Sequence, residues 1–186
     1  HDREVSRRAH EELGLSFPYP HLVEEPLWQQ YIEGYRLADE IICPSTVAAA
    51  TVRRYGEAFS DKRIHVIPHG VNLPQRVVPL PSSFVAGYIG CCGGPDKGLV
   101  NLLKAWKVLN YRDAVLLLGG ADSTSDWVTH LICSYGGGSI IRCGLHKYVL
   151  DFYEHISIFV CPAVTEGFNI EVLEAMANAR PVICSE

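Results

Sequence analysis

The sequence predicts an α/β fold built on a parallel sheet, and three features predict it. From Phe84 onward, short apolar runs alternate with segments of helical periodicity. Such alternation builds βαβ units, whose strands run parallel because each crossover carries the chain back to the same end of the sheet. The stretch Cys161–Ser185, CPAVTEGFNIEVLEAMANARPVICS, compresses the pattern into strand end, loop, helix and strand. Finally, Asn72–Ser83 carries Pro74, Pro79 and Pro81 and has no periodicity, so it parts a shorter α/β stretch from the regular array that follows. The division expected is residues 1–72, a linker at 73–83, and residues 84–186; a long surface loop within one domain is the alternative for the middle interval.

In chain order, His1–Leu15 is charged and reads as a helix, and Phe17–His21 reads as a proline-bearing loop. Pro26 suits the first turn of a helix running to about Ala38, with Glu24 and Glu25 at the positive end of its dipole. Ile41–Cys43 is a short strand, and Ser45 is a good N-cap for a helix over Val47–Tyr55. RIHVIP is another strand, closing on His69 and Gly70. In the array, FVAGYIG is a strand, and Leu99, Leu102, Leu103, Trp106 and Leu109 form one helical stripe. AVLLLGG, SIIRCG and ISIFVCP are the next strands, separated by helices over Asp126–Tyr135 and Lys147–His155. Ile170, Leu173 and Ala177 recur at helical spacing until Pro181 stops that helix and opens the run PVIC.

Composition narrows the class. Of 186 residues, 48% are hydrophobic and 20% charged, as in a globular protein with a sizeable core. The net charge of −5 gives no overall field for nucleic acid, so an anionic ligand has to be held by local groups. No apolar run approaches a membrane span, and nothing in this stretch supports peripheral membrane association. The opening HDREVSRRAHEELG has no apolar core and no initiator Met, so it is no signal peptide and the chain is expected to begin within a longer protein. Seven cysteines are odd in number and scattered, with Cys43, Cys161 and Cys184 in apparent buried strands. That pattern suits reduced thiols and a cytoplasmic protein. No spacing reads as a metal site: Cys143 and His146 make at most half of one, and His65 and His69 lie on a strand and a turn.

The loop and helix after Cys161 suit a ligand. In open α/β sheets ligands bind beyond the carboxyl ends of the strands, where a helix N-terminus offers free N–H groups to an anion. Gly167, Phe168 and Asn169 would supply those groups. Glu166 and Glu174, eight positions apart, are acceptors for sugar hydroxyls, and an acid at such a site commonly takes a ribose. A phosphate with two polyols describes a nucleotide-sugar. On spacing alone the plainer reading weighs more: Glu166 as an acid favoured by the dipole, and Glu174 as a solvated helix residue. Lys97, in the loop after the first strand of the array, could meet a diphosphate or simply be solvated. Its loop is neither a Walker A motif nor a dinucleotide fingerprint.

PAVTEGFNIEVLEAMANARPVI resembles the signature of the retaining group 1 (family 4) glycosyltransferases, E-G-F-G-(x)3-L-E-A-M-A-x-G-x-P-V-I. Glu166, Gly167, Phe168, Leu173–Ala177 and Pro181–Ile183 fit; Asn169 and Ala179 stand where glycine is usual. Upstream, LADEIICPS and RIHVIPHGVN look like the passage between the two domains of such enzymes. GYIGCCGGPDKGLVNLLKAW is similar to their G-R-L-x-x-x-K-G loop.

The resemblance, from about Leu37 onward, implies the GT-B fold of two Rossmann-like domains facing a cleft. Residues 1–72 would be the end of the acceptor-side N-terminal domain, and 84–186 a donor-binding C-terminal domain, the whole truncated at both ends. It implies a transferase moving a sugar, with retention and without a metal, from a nucleotide-sugar to a sugar, lipid or polysaccharide acceptor. Glu166 would be the catalytic-site residue that holds the donor sugar, and Glu174 would hold the ribose. Lys97 and the amides of Gly167–Asn169 would hold the diphosphate, and backbone near Gly144 and Leu145 the nucleobase, unless that turn merely caps its strand. Cys91 stands where the family has arginine, in a loop one residue longer, so either Arg142 or another residue substitutes or the donor affinity is lower. Cys91 also leaves open a degenerate protein that binds nucleotide-sugars without turnover. A GT-B-like sugar-nucleotide epimerase would share the fold but not the paired-glutamate signature.

Overall fold

The computed structural model describes residues 25–54, 61–92, 94–145 and 149–185; the helix expected over His1–Leu15 lies outside them. The chain divides into two compact units, His1–Gly70 with Glu166–Phe168, and Val71–Thr165 with Asn169–Glu186.

In the first unit, α1 (Glu25–Leu37), β1 (Glu40–Cys43), α2 (Thr46–Arg54) and β2 (Arg63–Val66) follow the expected order. β1 and β2 pair in parallel, with Ile41 opposite Ile64. Ser45 caps α2 by accepting the Ala48 N–H at 3.0 Å, the role its position predicts. Burial alternates along β1, so Ile41 and Cys43 turn inward onto Ala49 and Val52 of α2.

The second unit holds β3 (Phe84–Ile89), α3 (Leu99–Leu109), β4 (Ala114–Gly119), α4 (Asp126–Tyr135), β5 (Ser139–Gly144), α5 (Val149–Glu154), β6 (Ile158–Cys161), α6 (Ile170–Ala177) and β7 (Val182–Cys184). Its sheet has the order β5-β4-β3-β6-β7, every pair parallel. The chain therefore steps outward from β3 to β5, then crosses to the other side of β3 to form β6 and β7. β4 is flanked on both sides, which is why Ala114, Leu116 and Leu118 are buried in an almost unbroken apolar run. Leu99, Leu102, Leu103 and Trp106 form the buried stripe of α3. Leu109, expected in that stripe, is exposed, because the helix is closing there: Asn110 turns left-handed at φ 44° and donates its N–H to Trp106 O. Cys184, expected in a buried strand, is also exposed, since β7 is the outer strand of the sheet.

Between sheet and helices, Phe152, Tyr153, Ile156, Phe159, Cys161, Ala163 and Ala175 make one buried cluster. Arg180 is buried beside it, donating from Nε to Tyr153 O at 2.7 Å and from Nη2 to Val78 O at 2.9 Å. One cation thus ties α5 and the proline-bearing interval to the turn before β7. Among the described residues no helix is long and apolar enough to cross a membrane.

Candidate donor site

The sheet order creates a topological switch between β3 and β6, where successive connections leave in opposite directions. The crevice outside the carboxyl ends of such strands is where ligands bind in open α/β sheets. The loops leaving β3 and β6 are the two that carry Lys97 and the Pro162–Asn169 motif.

Those loops are locked together. Residues 95–97 form a 3-10 turn, and Gly98 follows at φ 72°. A Cβ at Gly98 would lie 1.9 Å from the Pro162 carbonyl oxygen, so only glycine allows the two backbones to touch. The Val164 N–H donates to Asp96 O at 2.7 Å, closing the same junction. Ser185 adds a hydrogen bond from its hydroxyl to Ala163 O. Lys97 is consequently carried, half-buried, at the carboxyl edge of the sheet.

Ahead of it, the loop is folded onto Asp122, which follows β4. The Asp122 carboxylate accepts the Cys92 N–H at 2.9 Å and lies 3.6 Å from Cys91 Sγ. At position 91, where the resemblance led to an expected arginine, this chain has a thiol facing a carboxylate. Burial, with Asp122 and Cys91 nearby, pushes the Cys92 thiol far up, so it is inert. Arg142 donates from Nη1 to Thr129 Oγ1 on α4 at 2.6 Å, so its guanidinium is engaged with that helix.

On α6, Asn169 is the N-cap: its Oδ1 accepts the Val172 N–H at 2.9 Å, and its Nδ2 points to Cys161 Sγ. Glu174 is half-buried, and the Tyr153 hydroxyl lies 3.0 Å from its Oε2 and 3.0 Å from Glu171 O. Burial raises the Glu174 carboxyl above the usual carboxylate range; the Tyr153 hydrogen bond pulls it down and Glu171 pushes it up. Tyr153 is raised strongly, chiefly by burial, and stays a neutral donor. Glu171 lies on the same face of α6, with Oε1 3.5 Å from where a Cβ at Gly90 would be.

At the end of β5, Gly144 donates its N–H to Ser123 Oγ at 3.0 Å and accepts from the Gly120 N–H at 3.0 Å, while Leu145 is exposed. Glu166, Gly167 and Phe168 group with the first unit, in which Ser45 Oγ donates to Gly167 O at 2.6 Å and His69 meets the Phe168 ring edge-on at 5.2 Å. Lys97, Asn169 and Glu174 thus lie on the second unit, in and after the loops that leave the adjacent strands β3 and β6, with Gly144 and Leu145 at the end of β5. Tyr153, Asp122 and Glu171 escaped the sequence reading. Asp122 carried a usable signal, an acid just past a strand's carboxyl end. Tyr153 reads as one more core aromatic. Among the described residues no group of three or more His, Cys, Asp or Glu side chains is arranged to hold a metal.

Comparison with known proteins bears on the family and the fold. The family profile described as glycosyl transferases group 1 matches residues 83–186, and one described as glycosyltransferase family 4 matches residues 6–75. A capsular polysaccharide biosynthesis glycosyltransferase of Staphylococcus aureus is 30% identical over 112 residues, covering 56% of this chain and 28% of that protein. A D-inositol 3-phosphate glycosyltransferase of Xylanimonas cellulosilytica is 26% identical over 165 residues, covering 72% and 37%. The chain therefore spans only a minor part of the length of these relatives. Among solved structures, a sucrose-phosphate synthase of Thermosynechococcus elongatus superposes with a TM-score of 0.72 at 22% identity, over 93% of this chain and 47% of that one. HepE of Anabaena, in complex with UDP-glucose, does so with 0.68 at 16% identity, over 89% and 50%. These neighbours share the GT-B fold.

Proposed function

Because the chain belongs to the group 1 glycosyltransferases, we propose that the intact protein moves a sugar from a nucleotide-sugar donor to a hydroxyl acceptor with retention of configuration. The bond from the anomeric carbon to the diphosphate oxygen breaks. The acceptor oxygen bonds that carbon, the diphosphate leaves with the electron pair of the broken bond, and the acceptor's proton passes to the departing diphosphate oxygen. What the site must do is stabilise charge developing on that leaving group. Lys97 and the N-terminus of α6 take this role, with no metal needed. Glu174 takes the ribose, and Glu166 the donor sugar.

One observation carries the reading: the junction of the Lys97 loop with the loop after β6, at the switch point of the sheet. HepE, solved with UDP-glucose, supports the donor class. The pairing of Cys91 with Asp122 favours a second reading, a protein that binds nucleotide-sugars without turnover.

Thermal-shift screening of the intact protein against UDP-, GDP- and ADP-sugars tests the donor class, with one nucleotide series expected to stabilise it. Turnover with a chelator present, and the anomeric coupling constant of the product, test the rest. An inverted product would remove retention. Binding without transfer to any acceptor would select the second reading.

A further inference from the structure

We infer that Tyr153 is a positioning residue for the donor site, holding the Glu174 carboxylate through its buried hydroxyl so that the other carboxylate oxygen faces the ribose. The inference rests on the reading of Glu174 as the ribose acceptor. Tyr153 is fully buried, with its ring among Phe152, Phe159 and Cys161. Its single hydroxyl proton is shared between Oε2 of Glu174 and the carbonyl oxygen of Glu171, each at 3.0 Å, and among the described residues Tyr153 is the one hydrogen-bond partner of that carboxylate. Oε1 is left to accept from a ligand hydroxyl. The tyrosine is itself braced: buried Arg180 donates to its backbone carbonyl at 2.7 Å, which fixes the short helix α5 that carries it. A half-buried carboxylate without this donor would keep its desolvation cost, lose its orientation, and pick up a proton more readily. The groups facing it are Tyr153 from α5, Glu171 on its own helix, and, next to the tyrosine hydroxyl, the Cys161 thiol of β6. Neither neighbour other than Tyr153 donates in a way that favours the ionised form.

The test is a double-mutant cycle in the intact protein, Tyr153→Phe and Glu174→Gln singly and together, with UDP, GDP and ADP as probes. Tyr153→Phe keeps the ring and should weaken the best-bound nucleoside diphosphate about tenfold, a charged hydrogen bond's share. In the Glu174→Gln background the same change should cost almost nothing. The pH dependence supplies a second readout. Affinity that needs ionised Glu174 falls as pH drops through its pKa. Losing the hydroxyl raises that pKa, so in Tyr153→Phe the fall should begin at higher pH. If Tyr153→Phe lowers stability, the cycle still reads the coupling, because both of its arms carry the substitution. Equal losses in both backgrounds, with an unmoved pH profile, would overturn the role of Tyr153 and leave the nucleotide reading standing. A native protein that binds none of the three diphosphates would overturn the nucleotide reading itself.

Discussion

A Cβ at Gly98 would stand 1.9 Å from the carbonyl oxygen of Pro162, although the two residues are 64 positions apart in the chain. This close approach gives the lysine-glycine pair a physical meaning. The glycine is there so that the lysine's loop can rest on the loop after β6. Gly98→Ala is expected to destabilise the protein by about 1–3 kcal/mol from the left-handed backbone alone, and more from the clash. It should also weaken diphosphate binding, because Lys97 is displaced with its loop. Denaturant unfolding and titration with UDP, GDP and ADP check both effects. Unchanged stability would mean that the junction opens freely.

Glu166 and Glu174 should separate by ligand. Glu174→Ala is expected to weaken the best-bound nucleoside diphosphate and its sugar conjugate alike, by about 1.5–3 kcal/mol for one charged hydrogen bond. Glu166→Ala should spare the bare nucleoside diphosphate and weaken the intact donor. Calorimetry with both ligands decides it, and equal losses everywhere would remove the division of roles.

At position 91 the structure changes what an arginine would do. Cys91 Sγ is 3.6 Å from Asp122 Oδ2, so the guanidinium in Cys91→Arg meets a carboxylate before it meets a phosphate. The single substitution should leave the affinity for the best-bound nucleoside diphosphate within about threefold of native, since the new charge is engaged by Asp122. Cys91→Arg with Asp122→Asn keeps an acceptor for the Cys92 N–H and should tighten that nucleotide about tenfold, as one added charged hydrogen bond would. Tightening by the single substitution would show that Asp122 gives way.

Ala179 offers a test of stability alone. It sits exposed at φ 52°, in the left-handed region, at the end of α6. A Cβ there costs roughly 1–2 kcal/mol, and glycine's greater unfolded-state freedom returns roughly half of that. Ala179→Gly should therefore raise the melting temperature by a degree or a few, about 0.5–1 kcal/mol, without touching ligand affinity. A lower melting temperature would mean that the turn is not strained by alanine.

Much of this fold was legible because it is written in local periodicity. The bounds of α4 and α6 follow from apolar spacing and from punctuation by the glycines after Tyr135 and by Pro181, which act within one or two turns of chain. The motif around Glu166 and Glu174 was legible as a resemblance, with Asn169 and Ala179 marked as departures though not explained. Their meaning came from backbone geometry: Asn169 turns out to be a helix cap at φ −90°, and Ala179 a residue in glycine's conformation. The sheet order decided the rest, because no local pattern says that β6 lies beside β3 rather than β5. That choice brings Gly98 against Pro162, and the sheet brings Asp122 to the loop of Cys91. The same packing slides α5 beneath α6, so that a tyrosine with every mark of a core residue ends with its hydroxyl on Glu174. Sequence spacing carries the contacts made within a helix or strand, while contacts between elements depend on which surfaces bury each other, and only the folded chain decides that.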